Sequence, residues 1–397
     1  MSHLKWALTV AMVGVVLGLA PAANAQSGEC SDLNGDGTVD TVSVSGYSVT
    51  IYSGGGTSRT YNIGSWSTMQ TVELDGLAGC ELLFTQSSSL VVVTHRTGST
   101  DTYSVGSWST TSYADLDGVA GSEVYVTSSS YVTVVTHRTK SKNGYTVGSW
   151  STLSNKDLDG YAGNELYLTS GTDLKVITQR TQTLKSYYIG SWGTMQPVDL
   201  DGLAGEEILF TQNGNLIVVT HRTGSTDTYS VGSWSTMTYT DLDGVAGSEV
   251  YVTSGSYVTV VTHRTKTKNS YNVGSWSTLS YRDLDGYAGN ELYLTSGTDL
   301  KVITQRTQSL KSYYIGYWST MQPIETDGKT GEELVFTTGA TVTILCHRDA
   351  ATRAYNVSGW SSMSHYDQDG LPGEELVFIV GSRPLVVNDA RRTTYYL

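Results

Sequence analysis

The sequence predicts an all-β fold built from a tandem repeat, on three observations. Trp66, Trp108, Trp150, Trp192, Trp234, Trp276, Trp318 and Trp360 are each separated by 42 residues. Each interval holds four short stretches rich in Val, Tyr and Thr, divided by turn residues. Across 397 residues Gly (43) and Tyr (27) are abundant while Phe (4) and Pro (5) are scarce, which suits many short strands joined by tight turns. A spacing that never drifts means that one supersecondary unit has been copied, and that each copy buries its apolar face against a neighbour.

The copy beginning at Ser235 shows the elements in order. Ser235 to Thr240 is a first strand, and Asp241 to Glu249 an acidic loop. Val250 to Ser254 is a second strand, Gly255-Ser256 a turn, and Tyr257 to Thr262 a third strand. His263-Arg264-Thr265 and a Lys/Asn turn lead to a fourth strand ending near Trp276. This is a four-stranded antiparallel meander. Along its third strand Tyr257, Thr259 and Val261 point one way and Val258 and Val260 the other, so both faces call for cover. Radial stacking of such sheets covers both faces, and ring closure removes exposed edges. The period also falls within the ~40–45 residues used per propeller blade. The expected architecture is a β-propeller of eight to nine four-stranded blades forming one domain from residue 26 to 397. A β-solenoid is the competing arrangement, although its rungs are usually shorter.

Acidic loops start at Asp32, Glu73, Asp115, Asp157, Asp199, Asp241, Asp283, Glu325 and Asp367, giving nine units against eight tryptophans. Nine blades, or eight plus a closing element shared by the termini, fit equally. The segment from Trp66 to Ser191 recurs 126 residues later with few changes, so three units were duplicated as a block. Near-identical units offer like groups at many points, whereas catalysis needs unlike groups converging on one. Repetition therefore favours multivalent binding over catalysis, and no enzyme activity is expected.

Residues 1–25 have a basic start, an apolar run from Trp6 to Ala20 and small residues before Gln26, which is the order of a secretory signal. The expected product is a secreted, periplasmic or cell-surface protein. Losing Lys5 with that leader takes 24 basic residues to 23 against 37 acidic ones. A balance so acidic argues against nucleic acid or an anionic membrane as partner. No later stretch approaches the ~20 apolar residues of a spanning helix, so no membrane insertion is expected and the chain should act as a monomer. Of three cysteines, Cys30 lies just before the first acidic loop and Cys80 inside the second, and a bridge between them and three unpaired thiols are both open. Cys346 replaces a repeat Thr and reads as a packed strand residue.

The first loop places oxygen side chains at its first, third, fifth and ninth positions, Asp32, Asn34, Asp36 and Asp40, with Gly37 at the sixth. Alternate residues of a tight turn aim inward, and hard cations take six to eight oxygens, so this pattern points to calcium. The other loops keep a nine-residue frame but lose the fifth acid. Their candidate ligand sets are Glu73, Asp75 and Glu81; Asp115, Asp117 and Glu123; Asp157, Asp159 and Glu165; Asp199, Asp201 and Glu207; Asp241, Asp243 and Glu249; Asp283, Asp285 and Glu291; Glu325, Asp327 and Glu333; and Asp367, Asp369 and Glu375. Weaker calcium binding and a purely structural turn, with carboxylates accepting backbone N–H groups, both fit these loops.

At these loops the chain resembles the FG-GAP and VCBS repeats of exported bacterial proteins and, more distantly, the propeller of integrin α-chains. The match to Asp-x-Asn-x-Asp-Gly-x-x-Asp is complete in the first loop alone. The resemblance implies a propeller whose calcium loop joins the first and second strands of each blade, and activities that include adhesion and ligand binding.

Other residues recur with the same period. His95, His137, His221, His263 and His347 alternate with Gln179 and Gln305, which speaks for a structural polar edge and against a metal site. The following Arg96, Arg138, Arg180, Arg222, Arg264, Arg306 and Arg348 are poised to pair with loop carboxylates. The tryptophan ladder reads as a packing wedge or as a platform for sugar rings. Tyr103, Tyr145, Tyr187, Tyr229, Tyr271 and Tyr313 sit on the fourth strand, are expected on a wet surface, and are the first candidates for glycan contact. The functional expectation is an exported calcium-binding adhesion module taking a glycan or a cell-surface protein. A polysaccharide-active enzyme or its accessory domain, or a purely structural surface protein, are the alternatives.

Overall fold

The computed structural model describes residues 30–397, so the leader expected at 1–25 lies outside the described residues. The fold class is the expected one: all-β, built of β-propeller-type blades, one per 42-residue repeat. The described residues form nine antiparallel sheets with strands in sequential order, the first three-stranded and the other eight four-stranded. In the sixth sheet the strands run Thr236–Thr240, Glu249–Ser254, Tyr257–Thr262 and Thr267–Asn272. The ninth sheet supplies its own fourth strand, Thr393–Tyr396, so no strand is shared with the first. Every acidic loop joins a first strand to a second, except in the first sheet, where the loop precedes Thr41–Ser45.

By contact the chain falls into two compact units, one of residues up to Trp150 with Gln179–Gln182, the other of Ser151–Thr178 with Thr183–Leu397. The second unit shows how the meander buries itself. Tyr251, Val258 and Val260 of the sixth sheet pack against Leu292, Leu294 and Ile303 of the seventh. On its other face Val250, Val252 and Val261 pack against Leu209, Leu216 and Val218 of the fifth. The alternation along the third strand thus feeds two cores. Each fully buried aliphatic side chain contributes ~1.5–3 kcal/mol. In the first unit Val49 and Ile51 meet Leu82, Phe84 and Val91 in the same way.

Cys30 and Cys80 are bridged, with Cα atoms 6.1 Å apart. The bridge fastens the segment before the first loop to the second loop, and closing 50 residues of chain is worth ~4 kcal/mol in the chain-entropy account. Cys346 is free and buried. Burial pushes its thiol up to about 11, as befits a packed strand residue. No helix among the described residues is long and apolar enough to cross a membrane.

The hairpin between third and fourth strands needs one residue at positive φ. Gly98 and Gly224 fill that place in two repeats, while Lys140, Gln182, Lys266 and Gln308 hold φ of 51–55° in others. A side chain in that region costs ~1–2 kcal/mol, partly offset by glycine's greater freedom when unfolded. Gln308→Gly should therefore raise stability by about 0.5–1 kcal/mol. Urea denaturation of the two proteins checks this, and a lower midpoint for the variant would refute it.

Candidate functional site: the acidic loops and what surrounds them

Each acidic loop is a tight turn whose own N–H groups are left without carbonyl partners, and its acids take them. In the fifth repeat Asp199 Oδ1 accepts from Gly202 at 2.7 Å, Asp201 Oδ1 from Leu203 at 3.0 Å, and Glu207 Oε2 from Leu200 at 2.9 Å. The pattern recurs around Glu73, Asp75 and Glu81, and around Asp115, Asp117 and Glu123. It recurs for Asp157, Asp159 and Glu165, and for Asp241, Asp243 and Glu249. Asp283, Asp285 and Glu291 repeat it, as do Glu325, Asp327 and Glu333 and Asp367, Asp369 and Glu375. The three acids of a loop stand close enough to share a ligand, with oxygens of Glu73, Asp75 and Glu81 all within 4.8 Å of one another.

The ninth-position glutamate is the buried member. Burial raises the carboxyls of Glu81, Glu123, Glu165, Glu207, Glu249, Glu291 and Glu333 to about 7. In Glu81, Glu123 and Glu249 the second oxygen is buried without a hydrogen-bond partner. These carboxyls take up a proton near neutrality.

The periodic arginine answers the loop's charge. Arg222 reaches Asp201 Oδ2 at 2.6 Å and donates to the Ala204 carbonyl at 2.7 Å. Arg96, Arg138, Arg264, Arg306 and Arg348 pair with Asp75, Asp117, Asp243, Asp285 and Asp327 at 2.6–2.8 Å. The structural role expected for these arginines is the one found.

The first loop is built differently. Gly54 and Gly55 stand where the next repeat has His95 and Arg96, because Val49 pairs with Tyr61 as Leu90 pairs with Tyr103. The loop that keeps its fifth-position acid thus lacks the arginine, whereas the ninth repeat, with Ala390 at that position, pairs Asp369 with Arg391 at 3.2 Å. Asp32 accepts from Gly35 and Gly37, and Asp40 Oδ2 from Leu33 at 2.8 Å. Asp40 Oδ1 is buried with no partner. Hydrogen bonds from Thr38 and Asn34 hold the Asp36 carboxyl below the usual carboxylate range.

Consecutive loops also touch. The Glu206 N–H donates to the Asp157 carbonyl at 2.9 Å, Ser248 to Asp199 at 2.9 Å and Glu332 to Asp283 at 2.8 Å. A Cβ on Gly205 would stand 2.5 Å from the Gly160 nitrogen, and one on Gly160 2.3 Å from the Ala204 oxygen. The loop glycines therefore do more than permit positive φ; they admit a neighbouring backbone.

The histidines and fourth-strand tyrosines form one network. Tyr229 lies 2.8 Å from His263 Nδ1, and Thr220 3.0 Å from its Nε2. Where glutamine replaces histidine, Gln305 Oε1 accepts from Tyr271 at 2.8 Å and Nε2 donates to Thr262 at 3.4 Å. Gln179 does the same with Tyr145 and Thr136. By that equivalence the histidine is neutral, with Nδ1 accepting from the tyrosine and Nε2–H donating to the threonine. Burial lowers the proton affinity of these imidazoles, to about 4 at His221 and His347.

This network corrects the expectation for Tyr103, Tyr145, Tyr187, Tyr229, Tyr271 and Tyr313. All are buried, at 7–9% exposure, and are not surface glycan contacts. Strand alternation decides it: the fourth strand shows the pattern ieieBe, and the tyrosine is its one inward residue. The wet tyrosines are others, Tyr188, Tyr314 and Tyr317 foremost. Tyr188 and Tyr314 directly follow two of the buried ones, so the face of the strand, rather than composition, was the missing signal.

All eight tryptophans of the ladder are half-buried. Trp66, Trp192, Trp318 and Trp360 stand edge-on to Phe84, Phe210, Phe336 and Phe378 at 5.5–5.7 Å. Trp108, Trp150, Trp276 and Trp360 donate Nε1–H to a turn carbonyl at 2.7–2.9 Å. They are wedges with one side open to solvent.

No family model matches the sequence, and no curated protein matches it. Among solved structures, BBS1N in complex with ARL6DN is 11% identical with a TM-score of 0.27, over 68% of this chain and 89% of that one. PorZ, a surface component of the type-IX secretion system of Porphyromonas gingivalis, is 9% identical with a TM-score of 0.26, over 96% of this chain and 59% of its own. The extracellular domain of a putative hybrid two-component system of B. thetaiotaomicron is 10% identical with a TM-score of 0.25, over 90% of this chain and 59% of its own. None of these likenesses bears on function.

Two outcomes follow from the site. Arg222→Met strands a half-buried Asp201 and should cost about 1–3 kcal/mol in urea denaturation; no loss would show the pairing to be incidental. His221 in the folded chain charges only near pH 4, against 6.5 when unfolded. Its contribution is therefore complete above pH 6.5 and is lost as the pH falls toward 4. His221→Gln, which cannot charge, should gain stability relative to the parent across that interval and run parallel to it above pH 7. A difference independent of pH would contradict the neutral-histidine assignment.

Proposed function

We propose that the protein is an exported binding module, braced by calcium at its first loop and by arginine at the loops that follow. The observation that carries the calcium reading is the exchange between the first loop and the rest: an acid gained at Asp36 and the arginine replaced by Gly55, beside a buried Asp40 oxygen that, like those of Glu81, Glu123 and Glu249, has no partner. Asp32, Asn34, Asp36 and Asp40 would hold the ion, which would neutralise the loop as the guanidinium does elsewhere. In the second, third, fifth, sixth, seventh and eighth loops the arginine occupies that role, and the buried glutamate is relieved by a proton. The FG-GAP and VCBS resemblance supports the reading at the first loop, where its motif is complete.

Binding, rather than catalysis, is supported by how the repeat spends its polar groups. Carboxylates, histidines and buried tyrosines are engaged within the fold, copy after copy, as like groups at many points. Aromatic groups remain exposed, the open sides of the tryptophans and the surface tyrosines, suited to a glycan or to a protein of a cell surface. Export is supported by the leader-like start of the sequence and by the Cys30–Cys80 bridge, since disulfides persist in oxidising compartments.

Elemental analysis after dialysis against calcium should find one ion per chain, and a chelator should lower the melting temperature of the parent but not of Asp36→Ala. A ligand at a hundred times its Kd adds about 2.7 kcal/mol of stability. Absence of calcium, or equal chelator sensitivity in the variant, would reject the first-loop site; close to nine ions per chain would show that the arginine loops bind as well.

A further inference from the structure

The acidic loops lie at the end of each sheet where first strand passes to second. The tryptophans and the turns between second and third strands lie at the opposite end. In the second unit that opposite end carries a cleft of about 1170 Å³. Trp192 and Trp234 line it, with Tyr188, Thr211, Asn213 and Ser233, and no charged side chain contributes.

The sequence around this cleft departs from the repeat. Ser follows the tryptophan in every other copy, as at Ser67 and Ser235, but Gly193 follows Trp192. The turn residues Ser87-Ser88 of the parent block become Asn213-Gly214. In the sixth repeat Ser235 Oγ lies 3.0 Å from Thr253 Oγ1. In the fifth, Gly193 leaves that place open, and a Cβ there would stand 3.2 Å from Thr211 Oγ1.

The indoles are positioned but not saturated. Trp192 is held edge-on to Phe210 at 5.7 Å, and Trp234 packs against the core of Leu216 and Val250. Unlike Trp108 or Trp150, neither has a partner for its Nε1–H among the described residues. Tyr188 beside them is three-quarters exposed. Two rigid aromatic faces with free donors, amides and hydroxyls, and no charge, suit a ligand with apolar C–H faces and a rim of hydroxyls. The volume exceeds the ~300–1,000 Å³ of pockets for single small molecules.

We infer that the cleft between Trp192 and Trp234 is a binding site for a neutral saccharide chain. Sugar rings lie against the indoles, while Asn213, Ser233 and the indole N–H groups bond their hydroxyls. The inference rests on the binding-module reading and narrows it to one place and one ligand chemistry.

The test titrates the full exported chain with cellohexaose, xylohexaose, chitohexaose and maltohexaose, using hexagalacturonate as the charged counterpart, and follows heat and tryptophan fluorescence. At least one neutral hexasaccharide should bind at one site per chain and quench fluorescence. Gly193→Ser should weaken it about tenfold or more, equivalent to about 1.4 kcal/mol, with an unchanged melting temperature, because serine is the residue of every other repeat. Trp192→Phe, which keeps the wedge and loses the N–H, should weaken it too. Binding unaffected by Gly193→Ser would place the saccharide elsewhere, ending this inference and leaving the binding module standing. Failure of all four neutral chains, or binding of hexagalacturonate alone, would also overturn it. The calcium measurements and a screen against cell surfaces judge the wider reading separately.

Discussion

Within each unit, consecutive acidic loops meet backbone to backbone, and that contact constrains most of what surrounds it. Gly205 and Gly160 approach so closely that neither position has room for a Cβ. A one-residue insertion within a loop would carry a side chain into that space or pull the loops apart. The tightness of the turns also explains the acids. A turn so compact leaves N–H groups facing inward, and carboxylates are the acceptors short enough to reach them.

Charge then has to be settled within each repeat, and the exceptions show how. The arginine beside the third-position aspartate cancels one acid from inside the fold. The first loop has no such arginine and carries an additional acid instead. The ninth repeat shows the same balance in the histidine network. Asp389 stands where His347 stands one repeat earlier; it accepts from Tyr355 at 2.6 Å and is paired with Arg353. A neutral acceptor can be exchanged for a charged one only together with a cation. Histidine and neutral glutamine interchange freely because each presents one acceptor and one donor at the same spacing.

The architecture was legible because periodicity survives projection onto one dimension. Four strands per repeat, the loop between first and second, and cover on both faces followed from alternation and turn residues, as the sixth sheet shows between the fifth and seventh. Arginine pairing was legible from invariance and charge. The placement of Tyr229 was not, because a fourth strand that is polar at most positions hides which single residue faces inward. Nor was the second duty of the loop glycines, since positive φ and the near approach of another chain segment leave the same residue in the sequence.

The two ends of each sheet therefore stand under different constraints. At the loop end the acids accept from the N–H groups of their own turn and consecutive loops are bonded backbone to backbone, so a substitution there must be answered by another. At the tryptophan end the indoles are wedged on one side only, and the turns are bounded by solvent. Copies can diverge there without disturbing the stacking that holds the array together. The exchange of serine for Gly193 and the Asn213-Gly214 turn fall at that end, next to two indoles without hydrogen-bond partners. In a chain whose repeats are nearly identical, a change that costs the scaffold so little is where specificity for one ligand can arise.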